Sequence, residues 1–156
     1  MKNEKMQVAV YGTLMEGERN HHWAFEAGAK KVADGMVWGM LYDTGFGYPI
    51  FIPRPRKSCL GYWVAVEVLE VDAEGIAHMD KLEGYPNLYI RTQVLVDFGP
   101  EADKEFAIIY MPNPKRPLMA TAKIKPNSTP KWAQGARVAD WRVWRRLGEE
   151  AALDEK

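Results

Sequence analysis

Short runs of apolar, β-branched and aromatic residues, broken by glycine and proline, fill the first two thirds of the chain. MQVAVY at 6–11 reads as a buried strand that Gly12 and Thr13 stop. Residues 30–43 alternate loosely, which predicts a strand bent or bulged at Gly35 or Gly39. GFGYPIFIPRP at 45–55 predicts a loop with a short edge strand. The clearest strand is GYWVAVEVLEV at 61–71. Trp63, Ala65 and Glu67 share one of its faces, while Tyr62, Val64, Val66 and Val68 share the other. Such mixed facing suits a sheet that curls into a barrel. YIRTQVLVDF (89–98) and EFAIIYM (105–111) predict two further strands, joined through a hairpin loop, GPEADK.

Helical signals lie between these runs. Asn20 is placed to cap a short helix through His21, Trp23 and Phe25 that ends near Gly28. Asp72 caps a second helix, AEGIAHMDKLEG, with Ile76, Met79 and Leu82 on one side and Gly84 as the stop. Residues 112–134 are proline-rich and predict an irregular segment. Val138, Trp141, Trp144 and Leu147 recur every three residues and predict an amphipathic C-terminal helix over 136–152. The expected class is α+β: a small curled, mostly antiparallel β-barrel flanked by helices, as a single domain over 1–156.

Composition narrows the partners. Lys plus Arg number 21, as do Asp plus Glu, so the net charge is zero. That balance gives no electrostatic case for nucleic acid or an anionic membrane surface. It offers little repulsion between copies, so a monomer or a homodimer is expected. No run approaches the roughly 18 apolar residues of a membrane span. The opening MKNEKMQVAVYG leads into a strand without the long apolar core of a signal peptide, and Cys59 stands alone. A cytoplasmic location follows as an expectation.

Several residues could carry chemistry. The turn at Tyr11-Gly12-Thr13-Leu14 ends a strand and can present consecutive backbone N–H groups to a carboxylate or phosphate. By itself it reads first as a plain strand end. Gly12 to Gly17 has the spacing of a phosphate loop, but Glu18 and Arg19 stand where Lys and Ser or Thr are required, so nucleotide binding is set aside. Asp80 and Glu83 fall in the last turn of the second helix. A carboxylate there opposes the helix dipole, at a cost of about 0.3–1 kcal/mol. In an apolar setting its pKa would rise toward neutrality, as a general base requires. By itself Glu83 reads first as a solvated surface residue. His21 and His22 lack partners at ligand spacing, so no metal is expected. Cys59 has no nucleophile signature, and there is no G-x-S-x-G elbow. Tyr89 and Tyr110 read as strand packing. The Trp/Arg pattern at 141–146 reads as a core stripe with a basic flank.

Taken in order, VAVYGTLMEGERNH (8–21), GMLYDTGFGYPIF (39–51), MDKLEGYPNLYIRTQVLV (79–96) and AIIYM (107–111) resemble the γ-glutamyl cyclotransferase-like family. The branch is that of the γ-glutamylamine cyclotransferases and plant avirulence-induced-gene homologues. The combination of YGTL with D-x-x-E-G-x-x-x-x-Y-x-R carries the resemblance. It implies a small barrel in which Tyr11, Gly12, Thr13 and Leu14 hold the glutamyl head of a small-molecule γ-glutamyl substrate. It implies Glu83 as proton acceptor, with Tyr110 and Tyr89 beside the pocket and no cofactor. The implied reaction is attack of the substrate α-amine on its own γ-carbonyl, releasing 5-oxoproline and an amine. Tyr89, Tyr110 or a backbone N–H could meet the oxyanion. The alternatives are a non-catalytic metabolite-binding module with the same pocket, or another acyl transfer or amide hydrolysis. The tail from 112 onward carries no family motif.

Overall fold

The computed structural model describes residues 4–56 and 58–154. The limits at 1 and 156 set for the expected domain lie outside these residues. The elements are β1 (Met6–Val10), α1 (His21–Glu26), β2 (Lys30–Asp43), β3 (Pro49–Pro53), β4 (Tyr62–Val71), α2 (Ala73–Glu83), β5 (Tyr89–Val96), β6 (Glu105–Pro112), β7 (Ala122–Ile124) and α3 (Trp141–Asp154).

The strands form one sheet in the order β3-β2-β4-β1-β6-β5, with β7 also on β2. All ladders are antiparallel except β1 with β6, which is parallel. Just past β5, Asp97 exchanges both backbone hydrogen bonds with Met36 of β2, each 2.9 Å. That bridge brings the two ends of the five-strand path β2-β4-β1-β6-β5 together, so the sheet is nearly a barrel. Its interior is filled by Val37, Leu41, Phe51, Val64, Val66, Val96 and Ile109, all fully buried. A second cluster packs α1 and α2 against β1 and β4 through Ala24, Ile76, Met79, Val8, Val10 and Leu69.

β2 is the strand on which the closure turns. Its register slips between Lys31 and Ala33, so the irregularity lies at Val32 and not at Gly35 or Gly39. The two glycines answer to packing instead. A Cβ on Gly35 would come 2.5 Å from Val96 Cγ1, and one on Gly39 would come 2.4 Å from the Ile52 carbonyl oxygen. Gly39 is where β2 pairs with β4 and β3 together, which leaves no room for a side chain.

The 112–134 segment is less irregular than expected. It contributes β7, whose Ile124 is buried opposite Leu41, and a short 3-10 turn at Lys131–Ala133. The C-terminal helix starts later than expected, because Val138 exchanges backbone hydrogen bonds with Ser128. The Asp140 carboxylate then accepts from the Arg142 N–H at 2.9 Å and opens α3. Trp141 is buried, whereas Leu147 is 54% exposed. A three-residue repeat drifts about 60° per step around a helix of 3.6 residues per turn, so the stripe rotates off the core.

Gly39→Ala is expected to cost about 1–3 kcal/mol, because the clash is with backbone that cannot rotate away. Urea denaturation of the variant beside wild type measures this.

Candidate active site

The site begins where β1 stops. Gly12 lies against Pro49, and a Cβ there would sit 2.7 Å from Pro49 Cγ. The loop that follows is held by its own turns: Met15 N–H donates to the Gly12 carbonyl at 3.0 Å and Asn20 N–H to the Thr13 carbonyl at 2.9 Å. The Asn20 side chain donates to Thr13 Oγ1 at 3.1 Å, so Asn20 braces the loop instead of capping α1 through its side chain. The N–H groups of Gly12, Thr13 and Leu14 donate to no acceptor among the described residues. Adjacent unpaired amides of this kind are able to receive an anionic group.

α2 supplies the opposing group. Asp72 accepts from the Gly75 N–H at 2.8 Å and starts the helix, while Gly84, at φ 67°, ends it in the left-handed conformation. Glu83 is the last helical residue. A cavity of about 250 Å³ separates it from the loop. All seven site residues expected from the sequence, Tyr11, Gly12, Thr13, Leu14, Glu83, Tyr89 and Tyr110, line that cavity. Burial pushes the Glu83 carboxyl up to about 7. The residue is half-buried and lines the cavity, and its carboxyl is desolvated there.

The three tyrosines are not equivalent. The buried Tyr11 hydroxyl donates to the Tyr110 carbonyl at 2.9 Å, which ties the end of β1 to β6. The Tyr110 hydroxyl donates to Asp80 Oδ1 at 2.7 Å, and Arg91 Nε lies 3.4 Å from the same oxygen. Asp80 therefore orders Tyr110 and Arg91, and it does not line the cavity. The Tyr89 hydroxyl has no hydrogen-bond partner among the described residues. Burial, reinforced by Glu83 and Tyr48, pushes its phenol well above the ordinary value, so it stays a protonated donor.

Several residues that shape the site escaped the sequence reading. Arg19, Asn20, Tyr48 and Leu88 also line the cavity. Behind the loop, Glu67 on β4 is 1% exposed. It accepts from the Glu16 N–H at 2.7 Å, from Arg142 at 3.1 Å and pairs with Lys31 at 3.2 Å. Glu18 forms a bidentate pair with Arg145 on α3, both contacts 2.7 Å. A charged residue in the middle of a strand was the one available signal for Glu67. Nothing local marked its partners: Glu16 and Arg142 lie 51 and 75 residues away, and Lys31 belongs to another strand.

Elsewhere, Cys59 is exposed. Among the described residues no group of three or more His, Cys, Asp or Glu could hold a metal ion, and no helix is long and apolar enough to cross a membrane.

A nearly closed sheet with a cavity between the 12–14 turn and a helix-end carboxylate has the form of a concave small-molecule pocket. The chain belongs to the gamma-glutamyl cyclotransferase, AIG2-like family, whose model matches residues 8–138. A Drosophila melanogaster protein provisionally named a gamma-glutamylcyclotransferase is 34% identical over 100 residues, 58% of this chain and 62% of that protein. The gamma-L-glutamyl-butirosin B gamma-glutamyl cyclotransferase of Niallia circulans is 40% identical over 76 residues, 49% of this chain and 44% of that protein. The chain thus matches less than two thirds of the length of either relative. The crystal structure of an AIG2-like protein from Mus musculus shares the fold, with a TM-score of 0.61 at 20% identity over 88% of both chains.

The raised Glu83 pKa has a sign for stability. The native state holds the proton more tightly than the unfolded chain does, so stability is fully present below about 4.5 and is lost as pH rises through about 7. Glu83→Gln is therefore expected to be more stable than wild type at pH 8, by about 1–3 kcal/mol, and nearly equal at pH 4.5. Denaturant titrations at the two pH values measure the difference.

Proposed function

We propose that this protein is a γ-glutamyl cyclotransferase that closes the glutamyl group of a γ-glutamyl amide to 5-oxoproline. The observation that carries the reading is the pairing, across one cavity, of three unpaired amides with a carboxylate whose pKa is near neutral. An anionic head alone would be held by the amides, and a buried carboxylate facing it would only weaken binding. A proton acceptor explains its presence. The names of the relatives point to the same reaction class.

In this mechanism the amides of 12–14 take the substrate α-carboxylate and fold the glutamyl chain. Its α-nitrogen then meets its γ-carbonyl, and such pre-organisation is worth about 7–11 kcal/mol. Glu83 accepts a proton from the α-ammonium and frees the nucleophile. The new C–N bond forms as the carbonyl becomes an oxyanion, which the Tyr89 hydroxyl meets as donor. The original C–N bond then breaks. The α-nitrogen loses two protons in all, and Glu83 relays them to the departing amine, which leaves as an ammonium. The steps balance without a co-reactant.

Incubation with γ-glutamyl amides should release 5-oxoproline and free amine. Release of glutamate would identify a hydrolase, and binding without product would identify a sensor. Glu83→Gln should keep the fold and lose at least about 10²-fold in kcat. Wild-type kcat should climb with pH through about 7 as Glu83 ionises. Tyr89→Phe should lower kcat by about 10²–10³-fold with a smaller change in KM. Steady-state assays from pH 5 to 9 test all three.

A further inference from the structure

The loop after β1 borders two spaces. Thr13 and Arg19 line both the cavity of about 250 Å³ and an adjoining groove of about 680 Å³. The first is smaller than the roughly 300–1,000 Å³ of sites that hold whole small molecules, and the groove falls inside that range. The cavity therefore suits the glutamyl head, and Thr13 and Arg19 mark the border across which the rest of a substrate can reach the groove. One wall of the groove is α3, through Trp144, Gly148 and Glu149. The family match ends at 138, so α3 lies beyond the part of the chain that the family model covers.

Gly148 is the independent sign that the groove is kept open. It stands in the interior of α3, where glycine is less favourable than alanine. A Cβ at Gly148 would meet nothing within 4 Å, so packing does not require the glycine. What a side chain there would fill is groove. The lining also selects chemistry. Asp43 accepts from the Gly45 N–H at 2.8 Å and from Trp144 Nε1 at 2.8 Å, yet it pairs with no cation among the described residues. Glu149 shares Arg145 with Glu18. Asp43, Glu18 and Glu149 thus line the groove together with Arg19 and Arg145, three carboxylates to two guanidiniums, so its charged lining is net negative by one.

We propose that this groove is the subsite for the leaving amine, and that it takes a bulky amine carrying further hydroxyl or ammonium donors. The proposal rests on the cyclotransferase reading. It is tested with three γ-glutamyl amides: those of ethylamine, cyclohexylmethylamine and 6-amino-6-deoxyglucose. The last two share a six-membered ring bearing an aminomethyl group and differ in hydroxyl donors. Wild type should show the highest kcat/KM on the amino-sugar amide. Gly148→Phe should lower the ratio of kcat/KM for the amino-sugar amide to that for the ethylamide by about tenfold. Gly148→Ala should lower it less. Asp43→Asn and Glu149→Gln should each narrow the preference for the amino sugar over cyclohexylmethyl. A merely structural effect would lower all three rates together and leave the ratios where they were. A ratio unmoved by Gly148→Phe, or a wild type that prefers the cyclohexylmethyl amide, overturns the groove assignment and leaves the reaction standing. Absence of 5-oxoproline from all three amides overturns the reaction, and the groove with it.

Discussion

The site depends on a match of lengths between a helix and a strand. β1 and β4 are antiparallel, and Met6 pairs with Val71, so β4 ends beside the start of β1. The amide loop lies at the other end of β1, about 17 Å away for five residues. α2 begins right after β4 and has eleven residues, about 16 Å of helix. It carries the chain back along β1 and sets its last residue, Glu83, opposite the loop. Its buried face, Ile76 and Met79, packs in the same cluster as Val8 and Val10 of β1, which holds the helix along that strand. A helix one turn shorter would stop about 5 Å short of the cavity.

The groups around this site are held at a cost in stability. Glu67 and Glu18 are carboxylates taken out of water, and each is matched by hydrogen bonds and by arginines from α3. Such buried pairs contribute little net stability compared with apolar packing, but they fix geometry. Here they fix the loop that presents the amides. Glu83 receives no such partner. Its burial without a cation raises its pKa, and the same feature that suits it to accept a proton makes it a weak point of the fold above neutrality. A buried carboxylate at a helix C-terminus breaks a local rule, which is the mark expected of a residue kept for something other than stability.

Local patterns were legible where the governing interactions are local. The strand at 62–71, the Asp72 and Gly84 caps and the β5–β6 hairpin all appear near their expected bounds, because alternation and capping act over a few residues. The α3 start and the β7 strand were misread for the opposite reason. Val138 is held extended by Ser128, and Ala122–Ile124 become a strand because β2 has a free edge there. Neither constraint leaves a mark in its own segment. Gly35 and Gly39 show the same limit: their presence was visible, but the reason, a close approach of β5 and β3, belongs to other segments.

By itself the sequence determined most of the elements and the class of fold, and its resemblance to a known family picked out seven of the residues that line the cavity, helped by YGTL and the Glu83 helix end, which are short-range motifs. Only the tertiary structure decided what those residues can do. It committed the Tyr11 and Tyr110 hydroxyls to other partners and left that of Tyr89 free. It desolvated the Glu83 carboxyl, tied Arg142 and Arg145 to the carboxylates around the loop, and opened a groove beside it. These are matters of dielectric, hydrogen-bond partner and empty volume. Each is set by atoms brought together from distant parts of the chain.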